Sequence, residues 1–169
     1  MQYHIRPMKL ADLDAIFDIQ ASVYHSDLLE SQAFYENRLQ LSANTCWVAT
    51  TEKNQLLGYL ISYPWIRTFP PALGEVLATL PEHADSWFVH DCAISPSTQG
   101  LGVGKALFIT ARNSAIEQGF RHSSLVSLAQ ATHYWLNQGY IAVDNTPQLT
   151  EKLAAYGEGA CYMYQEMTV

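Results

Sequence analysis

The apolar positions of the chain fall into short runs of two periods. Residues 2–6 alternate as a strand, and Pro7, which has no N–H to give a ladder, closes it at a sheet edge. Asp12 stands where a helix cap belongs, and Leu13, Ile16, Phe17 and Gln20 follow at helical spacing. A second helix is expected from about Glu30 to Leu41, with Phe34, Arg38 and Leu41 marking its faces. Residues 45–51 and 55–63 read as two strands joined by a turn at Lys53-Asn54. A fourth strand covers residues 87–94, where alternation places Phe88, His90 and Cys92 on one face and Trp87, Val89 and Asp91 on the other.

Beyond it the period changes. Phe108, Ala111, Ala115 and Ile116 mark a helix that ends at Gly119. Residues 123–128 form a buried strand, 129–138 a helix stopped by Gly139, and 140–144 and 161–167 the last two strands, with a short helix near Thr150–Tyr156 between them. Strands and helices that alternate after residue 85 predict a mixed α/β (α+β) sheet. Residues 64–85 interrupt the pattern with four prolines around Trp65, Phe69 and Leu73. A stretch this long without regular structure is either a surface loop whose aromatics pack locally or a working part of the protein. In the second case it is a lid or wall of an acceptor pocket, with Trp65 and Phe69 as apolar contacts.

Composition narrows the class. At 169 residues, 49% of them hydrophobic and 15% charged, the chain is expected to be one globular domain, residues 1–169. A formal net charge of −7 argues against non-specific nucleic-acid binding. No apolar run reaches the roughly 20 residues of a membrane span, and the first residues lack the apolar core of a signal peptide. Cys46, Cys92 and Cys161 are far apart and odd in number, as expected of reduced thiols in a cytoplasmic protein. The histidines show no metal-ligand spacing, and no metal is assigned.

The chemistry concentrates in residues 87–111. A strand runs into Ser95-Pro96, then a loop with Gly100, Gly102 and Gly104, then a helix that begins with Lys105-Ala106-Leu107-Phe108. Such a helix start offers unpaired N–H groups and a positive dipole end to an anion. The amides of Leu101, Gly102, Val103, Gly104 and Lys105 would hold a pyrophosphate, each contact contributing roughly 0.3–1 kcal/mol. The dinucleotide fingerprint fails, because its third glycine would fall on Lys105. The nucleotide P-loop fails as well: Gln99 stands where it needs glycine and Ala106 where it needs a hydroxyl.

Gln99, Gly102 and Gly104 do fit Arg/Gln-x-x-Gly-x-Gly/Ala, and Cys92-Ala93-Ile94 with Pro96 is close to Leu-Ala-Val-x-Pro. In these motifs, in the Ile5–Leu13 start and in the His133–Tyr140 segment, the chain resembles the GNAT superfamily of acyl-CoA-dependent N-acyltransferases. The resemblance implies a mostly antiparallel sheet splayed between its fourth and fifth strands, with helices on both faces. It also implies acetyl-CoA as cofactor, held by Gln99, the residues from Gly100 to Lys105 and the backbones of Cys92, Ala93 and Ile94, with Trp135 nearby. The expected reaction is direct attack of an amine, most simply a small molecule, on the thioester. A base is needed because a primary alkylamine has a pKa of about 10. His90 is the first candidate, standing where arylalkylamine-type relatives place a catalytic His, and Asp91 is the second.

One departure stands out. Many relatives carry a Tyr four residues before the glycine of the helix stop, where this chain has Trp135, and an indole cannot protonate a thiolate. Tyr134, one residue round the helix, is expected in the core. Two other functions stay open, a non-catalytic acyl-CoA sensor and an acetyltransferase for a protein Lys or N-terminus. An exposed edge near the C-terminal strand would permit a homodimer.

Overall fold

The computed structural model describes all residues, 1–169. Its strands are β1 (Tyr3–Pro7), β2 (Trp47–Thr51), β3 (Leu56–Trp65), β4 (Ser86–Ile94), β5 (His122–Ser127), β6 (Ile141–Ala142) and β7 (Cys161–Glu166). The α-helices are α1 (Leu13–Val23), α2 (Gln32–Leu41), α3 (Val103–Glu117), α4 (Thr132–Asn137) and α5 (Pro147–Leu153). The strands form one sheet in the order β1-β2-β3-β4-β5-β7-β6, antiparallel throughout except between β4 and β5. Pro7 closes the edge strand β1, as a residue without an N–H can.

Each face of the sheet buries its own core. One packs α1, α2 and α5 through Ile16, Phe34, Tyr35 and Leu149 against Tyr59, Ile61, Tyr63 and Phe88. The other packs α3 through Val103, Leu107, Phe108 and Ala111 against Leu57, Leu60, Trp87 and Leu125, with Trp135 of α4 at its margin. This is the mixed sheet that the sequence pattern predicts, with the helices on both faces that the resemblance implies.

Local chemistry moves some of the expected element ends. Asp12 accepts N–H groups from Lys9 (2.8 Å) and from both terminal nitrogens of Arg6 (2.8 Å each), so its carboxylate fixes the turn before α1 and makes no cap bond to that helix. The second helix starts at Gln32, later than Glu30, because Ser31 Oγ accepts the Phe34 N–H (3.2 Å) as its cap. Residues 129–131 form a 3₁₀ turn ahead of the shorter helix α4. No helix is long and apolar enough to cross a membrane.

Two irregularities in β4 shape everything near it. Its pairing with β5 covers only Trp87–Val89 against Ser123–Leu125, which leaves residues 90–94 without a neighbour on that side. Its register with β3 slips at the same place, from Val89 opposite Ser62 to Asp91 opposite Ile61. His90 is the extra residue of a β-bulge, a device that bends the strand and raises its twist.

Gly58 of β3 lies opposite Ile94, and a Cβ there would stand 2.6 Å from Ile94 Cδ1 and 2.9 Å from the Ala93 carbonyl oxygen. Because one of these neighbours is main chain, Gly58→Ala should cost about 1–3 kcal/mol. Denaturant unfolding checks this, with a lower midpoint at unchanged m-value as the expected result.

Candidate active site

The loop from β4 to α3 is tied to the sheet before it turns outward. Ser95 N–H donates to the Leu57 carbonyl (2.8 Å), and the buried Thr98 hydroxyl donates to the Ser95 carbonyl (3.0 Å). Gly100 and Gly102 then take φ values of +81° and +79°, in the left-handed region that other residues enter at a steric cost. Gly104 lets the first turn of α3 rest on β4, since a Cβ would come within 3.3 Å of Ile94 Cγ1. The amides of Val103, Gly104 and Lys105 have no main-chain acceptor and open toward solvent-accessible space. An anion is the natural ligand of such a helix start.

Below this loop lies a cavity of about 770 Å³, bounded on one side by residues 89–94 of β4 and on the other by Leu125, Val126 and Leu128. It occupies the gap that opens where β4–β5 pairing ends. Gln99, Gly100, Gly102, Val103, Gly104 and Lys105 line one part of it, and Tyr24, Leu28, Glu30 and Tyr156 another. Of residues 66–85, Leu73 joins the wall of the latter part. The segment is pinned by Gly74 N–H to Glu30 Oε2 (3.0 Å), by the Asn37 side chain to the N–H and carbonyl of Leu77 (3.0 and 2.8 Å), and by Tyr156 Oη to the Pro71 carbonyl (3.0 Å).

The bulge corrects the expected facing of β4. Simple alternation puts His90 and Asp91 on opposite faces. In the structure both reach partners on the α1–α2 side, while Cys92 points into the α3 core. His90 sets Nε2 2.6 Å from Glu30 Oε1 and Nδ1 3.2 Å from Tyr63 Oη, with its side chain 1% exposed. Asp91 accepts from Tyr24 Oη (2.5 Å) and Tyr59 Oη (2.6 Å). Tyr35 Oη lies 3.3 Å from Tyr59 Oη and donates to Gln20 Oε1 (2.9 Å). The Gln20 amide in turn brackets Glu30, donating to its carbonyl (2.9 Å) and accepting its N–H (3.1 Å).

Burial raises the Asp91 carboxyl above the usual carboxylate range, and the two tyrosine hydroxyls oppose that shift by bonding to the ionised form. Burial and then the Asp91 charge push Tyr24 and Tyr59 well above the usual phenol value, so both remain donors. Burial also lifts the Cys92 thiol to about 12.

The structure brings Cys92, Ala93, Ile94, Gln99, Gly100, Gly102, Val103, Gly104, Lys105, Trp135, His90 and Asp91 around the one cavity, with Leu101 between them on the loop. It does not bring Trp65 or Phe69 there. Trp65 Nε1 donates to the Phe69 carbonyl (2.9 Å) and its ring packs edge-on against Tyr63 at 6.0 Å, and Leu73 is the residue of that segment on the cavity wall. Tyr134 is not core: it is 43% exposed and lines the cavity, while Trp135 packs edge-on against Phe108 and Tyr140. Glu30 and Tyr24 were not singled out from the sequence for chemistry, because what marks them is contact with residues 60 and 67 positions away. No group of three or more His, Cys, Asp or Glu side chains is placed to hold a metal ion.

The comparisons agree with this geometry. Residues 13–140 match the model of the Acetyltransferase (GNAT) family. Among curated proteins no match was found. The loading GNATL domain of CurA from Lyngbya majuscula superposes with a TM-score of 0.79 at 12% identity, over 98% of this chain and 98% of that one. Ard1 from Thermoplasma volcanium gives 0.76 at 14% identity over the whole of both chains. Rv2747 from Mycobacterium tuberculosis, solved in complex with CoA and NLQ, gives 0.71 at 15% identity, over 98% of this chain and 99% of that one. With most of its length matched by the family model, and with the parted β4–β5 pair and glycine loop in place, the chain belongs to the GNAT acetyltransferase family.

Proposed function

We propose that the protein transfers the acetyl group of acetyl-CoA to a small-molecule amine by direct attack. The observation that carries this reading is the coincidence of the glycine loop and the end of β4–β5 pairing on one cavity. In this reading the amides from Gly102 to Lys105 hold the pyrophosphate with Gln99 beside them, while the expected Leu101 N–H turns back to the Thr98 carbonyl (3.4 Å), and the cofactor arm pairs with the free edge of β4 at Cys92, Ala93 and Ile94. Trp135 walls the same end. The far end, walled by Leu73 of the pinned residues 66–85, suits a small acceptor better than a polypeptide.

The amine arrives as an ammonium and must lose a proton before it attacks. Asp91 is the base in this reading: it lines the cavity, and each carboxylate oxygen keeps a second lone pair beside its tyrosine bond. His90, buried and engaged at both ring nitrogens, positions Glu30 and the bulge and does not meet the substrate. The amine nitrogen bonds to the thioester carbon, the C–S bond breaks, the thiolate leaves, and the nitrogen gives up its second proton, which makes up for the one donated to sulfur. Tyr134, whose hydroxyl shares the cavity with Cys92 and has no partner, is placed to protonate it. A thiol near 12 is protonated at neutral pH, so Cys92 does not serve as a nucleophile. Three free cysteines fit a reducing, cytoplasmic setting.

A thermal-shift titration tests the cofactor. Acetyl-CoA and CoA at about 100 times their Kd should stabilise the protein by about 2.7 kcal/mol, and NADH and ATP should not. Stabilisation by CoA without release of free thiol in an amine screen would replace the enzyme by a sensor.

Asp91→Asn should lower kcat by about 10²-fold with the acetyl-CoA shift retained. Because the base works deprotonated and its pKa is raised, wild-type kcat/KM should fall with acid through a limb above the ordinary carboxylate range, and the variant should lose that limb.

Native protein treated with iodoacetamide at pH 8 should carry no adduct at Cys46 or Cys92. Both thiols sit near 12, which leaves about one in 10⁴ as thiolate, and both should label after unfolding. Peptide mass spectrometry reads the outcome, and Cys92→Ala should keep kcat within about threefold of wild type, far inside the 10²-fold loss of a missing base.

A further inference from the structure

The acceptor end of the cavity is unequal in its hydrogen bonding. Two carboxylates line it, Glu30 and Asp91, and neither has an arginine or lysine partner. Four groups there that could donate are held by protein acceptors. Tyr24 Oη donates to Asp91, Tyr156 Oη to the Pro71 carbonyl, Gly74 N–H to Glu30, and both His90 nitrogens face Glu30 and Tyr63. The one ammonium on the whole cavity wall, Lys105, belongs to α3 beside the glycine loop. The buried Arg38 is screened from the cavity, its guanidinium stacked 4.5 Å from the Phe34 ring and 4.6 Å from that of Tyr63.

The rest of this end is apolar, with Val23, Leu28 and Leu73 beside the tyrosine rings. A ligand ammonium therefore meets acceptors for its three N–H groups and apolar surface for its body. A ligand carboxylate meets two carboxylates and no arginine or lysine to pair with. Leaving a buried charged group without a partner costs more than any gain from its contacts returns.

We propose that the acceptor is a primary amine on an uncharged, largely apolar body without an acidic group, and that Glu30 and Asp91 select it. This rests on the reading of the cavity as an acetyl-transfer site and narrows its substrate class. α-Amino acids are excluded by the two carboxylates and the lack of a cationic side chain at this end, although they present the same amine.

Matched pairs that differ only in the carboxylate test the proposal: 2-phenylethylamine against phenylalanine, and 3-methylbutylamine against leucine. Binding is measured by calorimetry on the full chain saturated with CoA, and turnover with acetyl-CoA is measured separately. The amine of each pair should bind at least about tenfold tighter, since an unpaired buried group costs at least about 1.4 kcal/mol. A smaller ratio, a reversed one, or no binding by either member overturns the proposal. Selective amine binding without acetyl transfer would leave the selection standing and overturn the acetyltransferase reading. Glu30→Gln keeps the shape and removes the charge. With its acetyl-CoA thermal shift intact, it should narrow the binding ratio at least threefold, and an unchanged ratio removes Glu30 from the selection.

Discussion

Pairing between β4 and β5 stops after Val89, and the register slip against β3 falls at the next residue. A bulge bends the strand that carries it, so β4 turns away from β5 where the extra residue, His90, is inserted. A sheet that parts in its middle exposes main-chain groups on both lips and leaves a gap too wide for the two cores to fill. The cavity is thus a consequence of backbone geometry, and it persists whatever side chains line it.

The bulge itself answers a problem of polar burial. His90 and Asp91 are neighbours, and strict alternation would send one of them into the α3 core, among the apolar side chains of Leu60, Trp87 and Leu107. An unpaired group there would be expensive to bury. The extra residue turns both toward α1, α2 and the segment between them, which supply Glu30, Tyr24, Tyr35 and Gln20. Glu30 ties three distant parts of the chain together: α1 through Gln20, β4 through His90, and residues 66–85 through Gly74. Arg38 shows the limit of this economy. Its Nε and Nη2 are buried without hydrogen-bond partners, and two aromatic faces stand in for them.

What the sequence made legible is what local chemistry decides. Gly100 and Gly102 announce left-handed turns, Gly104 a close approach, and the following helix an anion site, all within six residues. The strand and helix order follows from periodicity, and the two-faced sheet from the resemblance that the motifs carry. The rest depends on contacts far apart in sequence. Nothing in residues 87–94 marks a bulge, because its cause is the supply of partners from α1 and the α1–α2 connection. Glu30 reads as an ordinary start to a helix until the fold sets it against His90. Tyr134 lines the cavity and not the core because a short helix following a 3₁₀ turn changes the phase at which residues meet the sheet. Trp65 and Phe69 satisfy each other, which no spacing argument could foresee.

The two ends of the cavity complement the two ends of the proposed reaction. At the loop, main-chain donors and Lys105 face a region suited to anions, and no carboxylate of the cavity stands there. At the far end, carboxylates and engaged hydroxyls face a region suited to a cation. Acyl transfer from a thioester to an ammonium moves one proton toward the acceptor end and leaves an electron pair on sulfur toward the other. Donors that are already oriented need not reorganise as that charge moves, which is how a fixed site lowers a barrier. The same fixity narrows the acceptor. A wall that carries two carboxylates can accept a proton from a substrate, and it has no arginine or lysine for an acid the substrate carries.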